Sequence, residues 1–422
     1  MSQSPFPSPA GAEAVTVVGA GIVGLACARA LQRDGRAVTV IDPGEPGGGA
    51  SYGNAGILSA GSVLPEATPG LLRRVPGMLL DPLAPLTIRP AYLPRLMPFL
   101  LRMLRNATPA RVEALSAALA TLVLNGMESW RALLDDEDFA GLVRRQGCLY
   151  LYETAAALKA SAADNAMRRR RGVAVELLGP DEVKQLVPAL GPRIAGGALA
   201  TGSGHVVNPL RLAQALAARI RADGGRILRE RVTGFETDGS GSVRAITERG
   251  SHAAGAVVVA AGAFSRPLAA ALGSRVPLDT ERGYHMMLPK PGVELRLPLL
   301  VSPGGFGVTP MEHGIRLAGT VEFAGLEAPP NHARADLLLR HARRLFPELA
   351  DEGAERWMGF RPSLPDSLPV ISASPHRPNV FFAFGHGHLG LSLAAVTGRM
   401  VADLAAGRRP VVDPQPFRVD RF

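Results

Sequence analysis

A chain of 422 residues is longer than one hydrophobic core usually sustains, so two domains sharing the polypeptide are expected. Apolar residues make up 47% and charged residues 20%, which excludes general disorder, and two cysteines, Cys27 and Cys148, are too few for a disulfide framework and point to a reducing compartment. The net charge of +9 comes with no nucleic-acid-binding motif and only 5% aromatic residues, so a nucleic acid partner is discounted.

Residues 1–13 carry neither a basic start nor an apolar stretch and read as a disordered tail rather than a signal peptide. Ala14–Val18 is a short β-rich run, followed by glycines, an apolar pattern at helical spacing through Leu31, and a second β-run, Ala37–Ile41, ending at Asp42. This is one βαβ unit. From Gly61 to Asn106 prolines are dense and periodicity is poor. Within it, Met78–Leu104 is apolar but broken by Asp81, Arg89, Arg95, Arg102 and several prolines, so it offers no membrane-crossing span. Its Leu, Met and Phe content beside arginines leaves open a seat on an anionic membrane face, against a buried segment or loop. The expected location is therefore the cytoplasm, with the inner membrane face open.

Pro109–Leu134 reads as a helix outside the nucleotide core. Strands are expected at Gly147–Tyr152, Ala174–Leu178, Gly197–Ala200 and Arg226–Phe235, with helices at Asp181–Leu186 and Pro209–Arg221. The basic run Arg168–Arg171 reads as a solvated helix face. Val257–Ala261 suits a buried parallel strand turning into Phe264–Leu272, Val276–Thr320 an antiparallel sheet, and Asn331–Phe346 an amphipathic helix. Val380–Phe384, Gly385-His-Gly-His-Leu-Gly390 and Ser392–Ala406 close the chain as strand, glycines and helix. The fold class is α/β: a discontinuous Rossmann-type nucleotide domain (14–65, 195–275, 355–422) and a mixed, largely antiparallel substrate domain (66–194, 276–354).

Gly19-Ala20-Gly21-Ile22-Val23-Gly24 stands between strand and helix, where glycines allow the tight turn, backbone approach to a pyrophosphate, and close helix packing. A phosphate then meets the helix N-terminus. Asp42, 18 residues after Gly24, can bind ribose hydroxyls and disfavours a 2′-phosphate, hence NADP. FAD and NAD share this fingerprint, and local sequence does not choose between them.

The choice comes from further motifs in order: Ala50-Ser-Tyr-Gly-Asn-Ala-Gly56, Val257-Val-Val-Ala-Ala-Gly262, Arg282-Gly-Tyr-His285, Gly359-Phe-Arg-Pro-Ser-Leu-Pro-Asp366 and the final glycine motif. With the fingerprint they resemble, over Val15–Ala406, the D-amino acid oxidase/dehydrogenase superfamily of flavoproteins, bacterial D-amino acid dehydrogenases most of all. The resemblance implies FAD, with Ser51, Asn54, Ala55 and Gly56 along it, Val232 touching its adenine side through the backbone, Gly262 among the same glycine turns, and Gly387, His388, Leu389 and Gly390 near the flavin. It also implies that Arg361, whose planar fork pairs bidentately with a carboxylate, holds the carboxylate of an amino or imino acid. Tyr284 is a candidate to bond that carboxylate or order the flavin face, and His205 and His386 are candidate pocket donors. Neither cysteine lies in the C-terminal segment where related sarcosine oxidases tether their flavin, so FAD is expected to be non-covalent.

The expected reaction moves hydride from the substrate α-carbon to the flavin, giving an imine and then a 2-oxo acid, with electrons passing to an acceptor other than NAD(P), a quinone or another respiratory carrier being open. Oxidation of D-proline or hydroxy-D-proline, an N-methylglycine-type oxidase, and a flavin subunit of a larger dehydrogenase are the alternatives. Hydrolase, kinase, zinc and disulfide-reductase readings lack their motifs.

Overall fold

The computed structural model describes residues 14–69, 85–237, 243–302 and 304–422; the expected tail and part of the Met78–Leu104 segment lie outside them. Two large sheets divide the work. The first has six strands in the order Arg226–Arg229, Ala37–Asp42, Ala14–Val18, Ala256–Val259, Val380–Phe384, Val370–Ala373. The first five run parallel and the last is antiparallel. Apolar runs such as Ala256–Val259 and Val380–Phe384 are buried along their whole length, as a sheet covered on both faces requires. One cover is the helix Ile22–Arg33, packed on the last helix, Gly390–Ala405. The two approach so closely that a Cβ on Gly398 would stand 2.5 Å from the Ala26 carbonyl oxygen. Val232–Thr237, Val243–Thr247 and Gly250–Ala254 form a separate three-stranded sheet packed on the other side.

The second sheet has nine strands, with Glu355–Ser363, Asp279–Leu288, Gly314–Phe323, Phe306–Met311, Leu299–Ser302, Cys148–Tyr152, Gly196–Ala200 and Val175–Leu178 in that order, and Leu86–Ile88 beside Gly314–Phe323. It is antiparallel except where Leu299–Ser302 meets Cys148–Tyr152 and where Leu86–Ile88 joins. The helix Ala333–Leu345 covers one face.

Most elements fall within a residue or two of the sequence reading, and four differences are informative. Arg226–Phe235 is two strands in two sheets, because the chain leaves the parallel sheet at Glu230 and Arg231. Gly196–Ala200 and Glu355–Ser363 belong to the nine-stranded sheet, so the chain changes sheets inside the segments assigned to the nucleotide domain. The proline-dense stretch holds a helix, Leu93–Asn106: Pro94 lies in its first turn, where no N–H bond is lost, and Leu96 and Phe99 pack against Phe323 despite Pro98. Finally, the Arg168–Arg171 run is not a uniformly solvated face. Arg168 is buried over the Tyr150 ring and donates to the Gly61 carbonyl, and Arg171 pairs with Glu113 at 2.6 Å.

Candidate active site

A cavity of about 1650 Å³ runs between the two sheets. Ordinary small-molecule pockets reach about 1,000 Å³, so this one has room for a large cofactor and a second molecule. One end is built by the βαβ unit. Gly19, at φ 115, lies so close to the neighbouring strand that a Cβ would stand 2.4 Å from the Ala260 carbonyl oxygen. A Cβ on Gly24 would stand 1.9 Å from the Gly19 carbonyl oxygen, which lets the helix press on the turn. At Gly21 a Cβ would meet only Ser51 Oγ, at 3.5 Å, so the bare backbone faces open space at the helix N-terminus. Ser51 Oγ accepts from Ile22 N–H at 2.8 Å. Asp42 Oδ2 accepts from Ala20 N–H and Oδ1 from Gly44 N–H, both at 2.7 Å, so one carboxylate fixes the glycine turn and the turn after its own strand.

The cavity wall at the other end is the nine-stranded sheet. Antiparallel register sets Glu281, Gly283 and His285 directly opposite Arg361, Gly359 and Trp357. Side chains alternate along a strand, so these six share one face. Glycine is needed twice on it. A Cβ on Gly283 would stand within 2.4–2.6 Å of the Arg361 guanidinium, and one on Gly359 within 2.0 Å of the Trp357 ring. Trp357 stacks on His285, with ring centroids 5.0 Å apart, and also lies against Gly53 of the Ser51–Gly56 loop. That loop is tied to the sheet by His285 Nδ1–H to the Gly53 carbonyl (2.9 Å) and by Arg316 to the carbonyls of Tyr52 (3.0 Å) and Asn54 (2.8 Å).

Opposite Gly283 the strand Gly314–Phe323 bulges, with Thr320 and Val321 facing one residue. Thr320 takes φ 56, a conformation a β-branched residue rarely adopts. Its carbonyl accepts from Arg361 Nη1 at 3.0 Å, and the Gly319 carbonyl from Nη2 at 3.4 Å. The bulge thus aims Arg361 along the sheet face while leaving it further N–H donors.

Of the residues expected from sequence, Gly19, Ala20, Gly21, Ile22, Val23, Asp42, Ser51, Asn54, Ala55, Val232, Gly262, Tyr284, Arg361 and His386–Gly390 line this cavity. Gly24 and Gly56 support its wall from behind. Three expectations meet a different geometry. Tyr284 borders the cavity, but its ring packs in the core of the nine-stranded sheet, and its hydroxyl donates to Glu322 Oε2 and accepts from Asn331 N–H. His205 is buried in a strand pair with Ile57 and Arg144, outside the cavity wall. His386 lines the cavity, but its Nε2 shares a hydrogen bond with Thr397 Oγ1 at 2.9 Å. Burial pushes His386 down to about 3 and His205 to about 4, the latter helped by the Arg144 charge, so both imidazoles are neutral at working pH.

The model of a family described as FAD dependent oxidoreductase matches residues 14–404. The chain belongs to this family. Among curated relatives, a D-amino-acid oxidase of Bradyrhizobium diazoefficiens is 42% identical, with 97% of this chain and 98% of the relative covered. A D-amino acid dehydrogenase of Chromohalobacter salexigens is 32% identical, covering 97% and 99%. Among solved structures, glycine oxidase from Geobacillus kaustophilus superposes with a TM-score of 0.76 at 24% identity, covering 97% and 98%, and L-proline dehydrogenase from P. horikoshii with 0.73 at 19%, covering 97% of each; these two establish likeness of fold.

FAD fits the residues present. The glycine turn and open helix start suit its pyrophosphate, Asp42 its ribose, and the loop at Ser51–Gly56 together with Gly387–Gly390 the remainder. Both cysteines are buried and outside the cavity wall, and burial raises both thiols, Cys148 to about 12. Because Asp42 also ties two turns together, Asp42→Ala should weaken FAD and lower the stability of the apoprotein by about 2 kcal/mol. Titration with FAD and denaturant melts of the apoprotein check both parts.

Gly283 supports a second expectation. Because the atoms its missing Cβ makes room for are the far end of a flexible side chain, Gly283→Ala should displace Arg361 rather than unfold the strand. Misplacing a positioning group by about 1 Å can cost roughly 10²-fold, so kcat/KM should fall by about that factor with flavin content intact. Steady-state kinetics and flavin absorbance of the variant separate the two.

The sequence reading missed Glu66, Glu281, Trp357 and Arg316. Glu281 left a signal, a carboxylate directly before the motif Arg282-Gly-Tyr-His285; Glu66 left none.

Proposed function

We propose that the enzyme oxidises D-amino acids to imines, which water converts to 2-oxo acids, and passes the electrons to a membrane quinone. Arg361 carries this reading: a guanidinium aimed at the cavity by a strained bulge and a bare glycine suits a ligand carboxylate. Bound FAD supplies the hydride acceptor. Arg361 fixes the substrate carboxylate, and the Trp357–His285 stack gives the pocket a rigid wall. The D preference is supported by the names of the curated relatives.

The acceptor and the location rest on the helix Leu93–Asn106. Leu93, Met97, Leu101 and Leu104, spaced along one face, are 38%, 41%, 50% and 47% exposed. The helix carries Arg95, Arg102 and Arg105 and no acidic residue, and Leu93, Leu100, Met103 and Leu104 also border the cavity. An apolar stripe flanked by arginines suits the surface of an anionic bilayer, and its position offers a lipid-soluble acceptor a greasy path to the flavin. Among the described residues no single helix is long and apolar enough to cross a membrane. Of the bent pair that passes on length and composition, Pro109–Leu133 is held in the core, its Trp130 donating to the Leu391 carbonyl.

Anaerobic mixing of the FAD-loaded protein with D- and L-amino acids, including D-proline, tests the substrate: bleaching by D-compounds alone is expected, and bleaching by L-compounds alone would overturn the chirality. Reoxidation by a short-chain quinone faster than by air, and sedimentation with vesicles containing phosphatidylglycerol but not with pure phosphatidylcholine, are expected for the acceptor and the seat. Fast reoxidation by air alone would make the enzyme an oxidase.

A further inference from the structure

The Ser51–Gly56 loop turns its carbonyls and its N–H groups to different sides. Arg316 Nη1 donates to the Tyr52 carbonyl (3.0 Å) and the Asn54 carbonyl (2.8 Å), and His285 Nδ1–H to the Gly53 carbonyl between them (2.9 Å). Antiparallel register sets Arg316 opposite Met287, two residues from His285, so both side chains rise from one face of the nine-stranded sheet under the loop. In a planar trans peptide the carbonyl and the N–H that follows it point opposite ways. The three bonds therefore turn the N–H groups of Gly53, Asn54 and Ala55 away from the sheet. These three residues line the cavity, whereas Arg316 and His285 stand behind them.

Those N–H groups are unspent. On one side Tyr52 N–H reaches the Gly49 carbonyl (3.0 Å) and on the other Gly56 N–H reaches Asn54 Oδ1 (2.7 Å), but among the described residues no acceptor meets the three between. Successive backbone N–H groups aimed one way form a concavity for negative charge. The cation behind this one has no anion of its own. Arg316 is 6% exposed, no carboxylate pairs with it among the described residues, and its Nε is buried without an acceptor. Burial lowers it only to about 10, so it stays charged. Arg361 is balanced differently. Beside it Glu281 is raised well above the carboxylate range by burial and the Glu66 charge. Burial opposes ionisation of Glu66 too, but the His388 hydrogen bond and charge, the Glu281 hydrogen bond and the Arg361 charge hold it at about 2. Arg361 thus has one anion near it and Arg316 none.

We propose that Arg316, with His285, is a positioning residue: by holding three carbonyls it presents three N–H groups to the ring of bound FAD and stabilises the negative charge that the ring gains on reduction. This role rests on FAD binding and amino acid oxidation, not on the chirality of the substrate or the choice of acceptor. Hydride leaves the α-carbon of the neutral amine with both electrons of its C–H bond. The substrate becomes an iminium with one more positive charge, and the ring carries one more negative charge. Unfilled N–H donors meet that charge without rearrangement, because the loop is already fixed from behind.

The measurements read the flavin rather than turnover. The midpoint potential of the FAD-loaded protein is taken anaerobically against a reference dye. Inorganic sulfite, which adds to the oxidised ring and brings negative charge to it, is titrated by bleaching. Arg316→Met frees two carbonyls and should lower the potential by about 30 mV, roughly a tenfold weaker hold on the reduced ring, and weaken sulfite binding by the same factor. Arg316→Gln, which keeps two N–H donors without the charge, and Arg316→Lys, whose ammonium can serve both carbonyls, should stay nearer wild type. His285→Leu frees only the Gly53 carbonyl and should weaken both holds by about threefold. Wild-type potential and sulfite affinity in flavin-replete Arg316→Met or, where that protein takes up no FAD, in His285→Leu would overturn the proposal. So would a potential in Arg316→Gln as low as in Arg316→Met, which would credit the buried charge alone. A change confined to the binding of benzoate would overturn it too, by giving the N–H groups to a substrate carboxylate. No amino acid enters either measurement, so a failed D preference leaves the outcome unaffected.

Discussion

Replacing Arg361 with alanine should leave a yellow, folded enzyme whose kcat/KM for its amino acid is lower by about 10²- to 10⁴-fold. Two charge-assisted bonds to a carboxylate contribute about 3–6 kcal/mol together, and each 1.4 kcal/mol is tenfold. The upper end is expected, because removal of the guanidinium leaves ionised Glu66 facing the incoming carboxylate with only His388 to balance it. Arg361→Lys should recover part of the loss, since a point charge replaces the fork. Flavin content should be unchanged, as the Arg361 side chain bonds the Gly319 and Thr320 carbonyls of the sheet. An Arg361→Ala enzyme with wild-type KM and full flavin would remove the carboxylate role.

The second large effect is on stability against acid. His205, His285 and His386 are 2%, 1% and 4% exposed, and burial holds them at about 4, 3 and 3. Each is depressed from an unfolded value of about 6.5. Below that value the unfolded chain binds protons that the folded chain refuses, so stability is complete above about pH 6.5 and falls with pH. Each histidine contributes a slope of about 1.4 kcal/mol per pH unit, three together about 4. Glu281 has the opposite sign, because its raised value lets the fold take up a proton first; this offsets one histidine in part and leaves roughly 3 kcal/mol per pH unit. Over about 1.7 units that matches the lower range of total stability, about 5 kcal/mol. Denaturant melts should therefore lose most of their midpoint between pH 6.5 and 5, and a midpoint unchanged over that range would refute the argument. The depressed Glu66 adds a further loss of the same sign at lower pH, between about 4.5 and 2.

These two effects come from different kinds of information. The nucleotide end was readable because its determinants are local. Gly19, Gly21, Gly24 and Asp42 lie within one βαβ unit, and each does its work against backbone a few residues or one strand away. The apolar runs gave the parallel strands for the same reason: burial on both faces leaves its mark on consecutive residues. The tyrosine illustrates where this fails. Next to Arg282 and His285 in sequence, Tyr284 does border the cavity, but its hydroxyl is taken by Glu322 and Asn331, because a period of two turns its side chain away from the Arg361 face and the strand's phase is set by its partners.

What the sequence by itself determined is the chemistry available: a dinucleotide turn, FAD through the order of the glycine motifs, and an arginine fit for a carboxylate. What only the tertiary structure decided is the company that arginine keeps. Glu281 faces it through antiparallel register, the Thr320 bulge aims it, Gly283 makes room for it, and Glu66 reaches the pair from a segment 295 residues earlier in the chain. Register and long-range packing arise from contacts summed over both sheets, so no short stretch of residues records them, and the charge balance of the site follows from them.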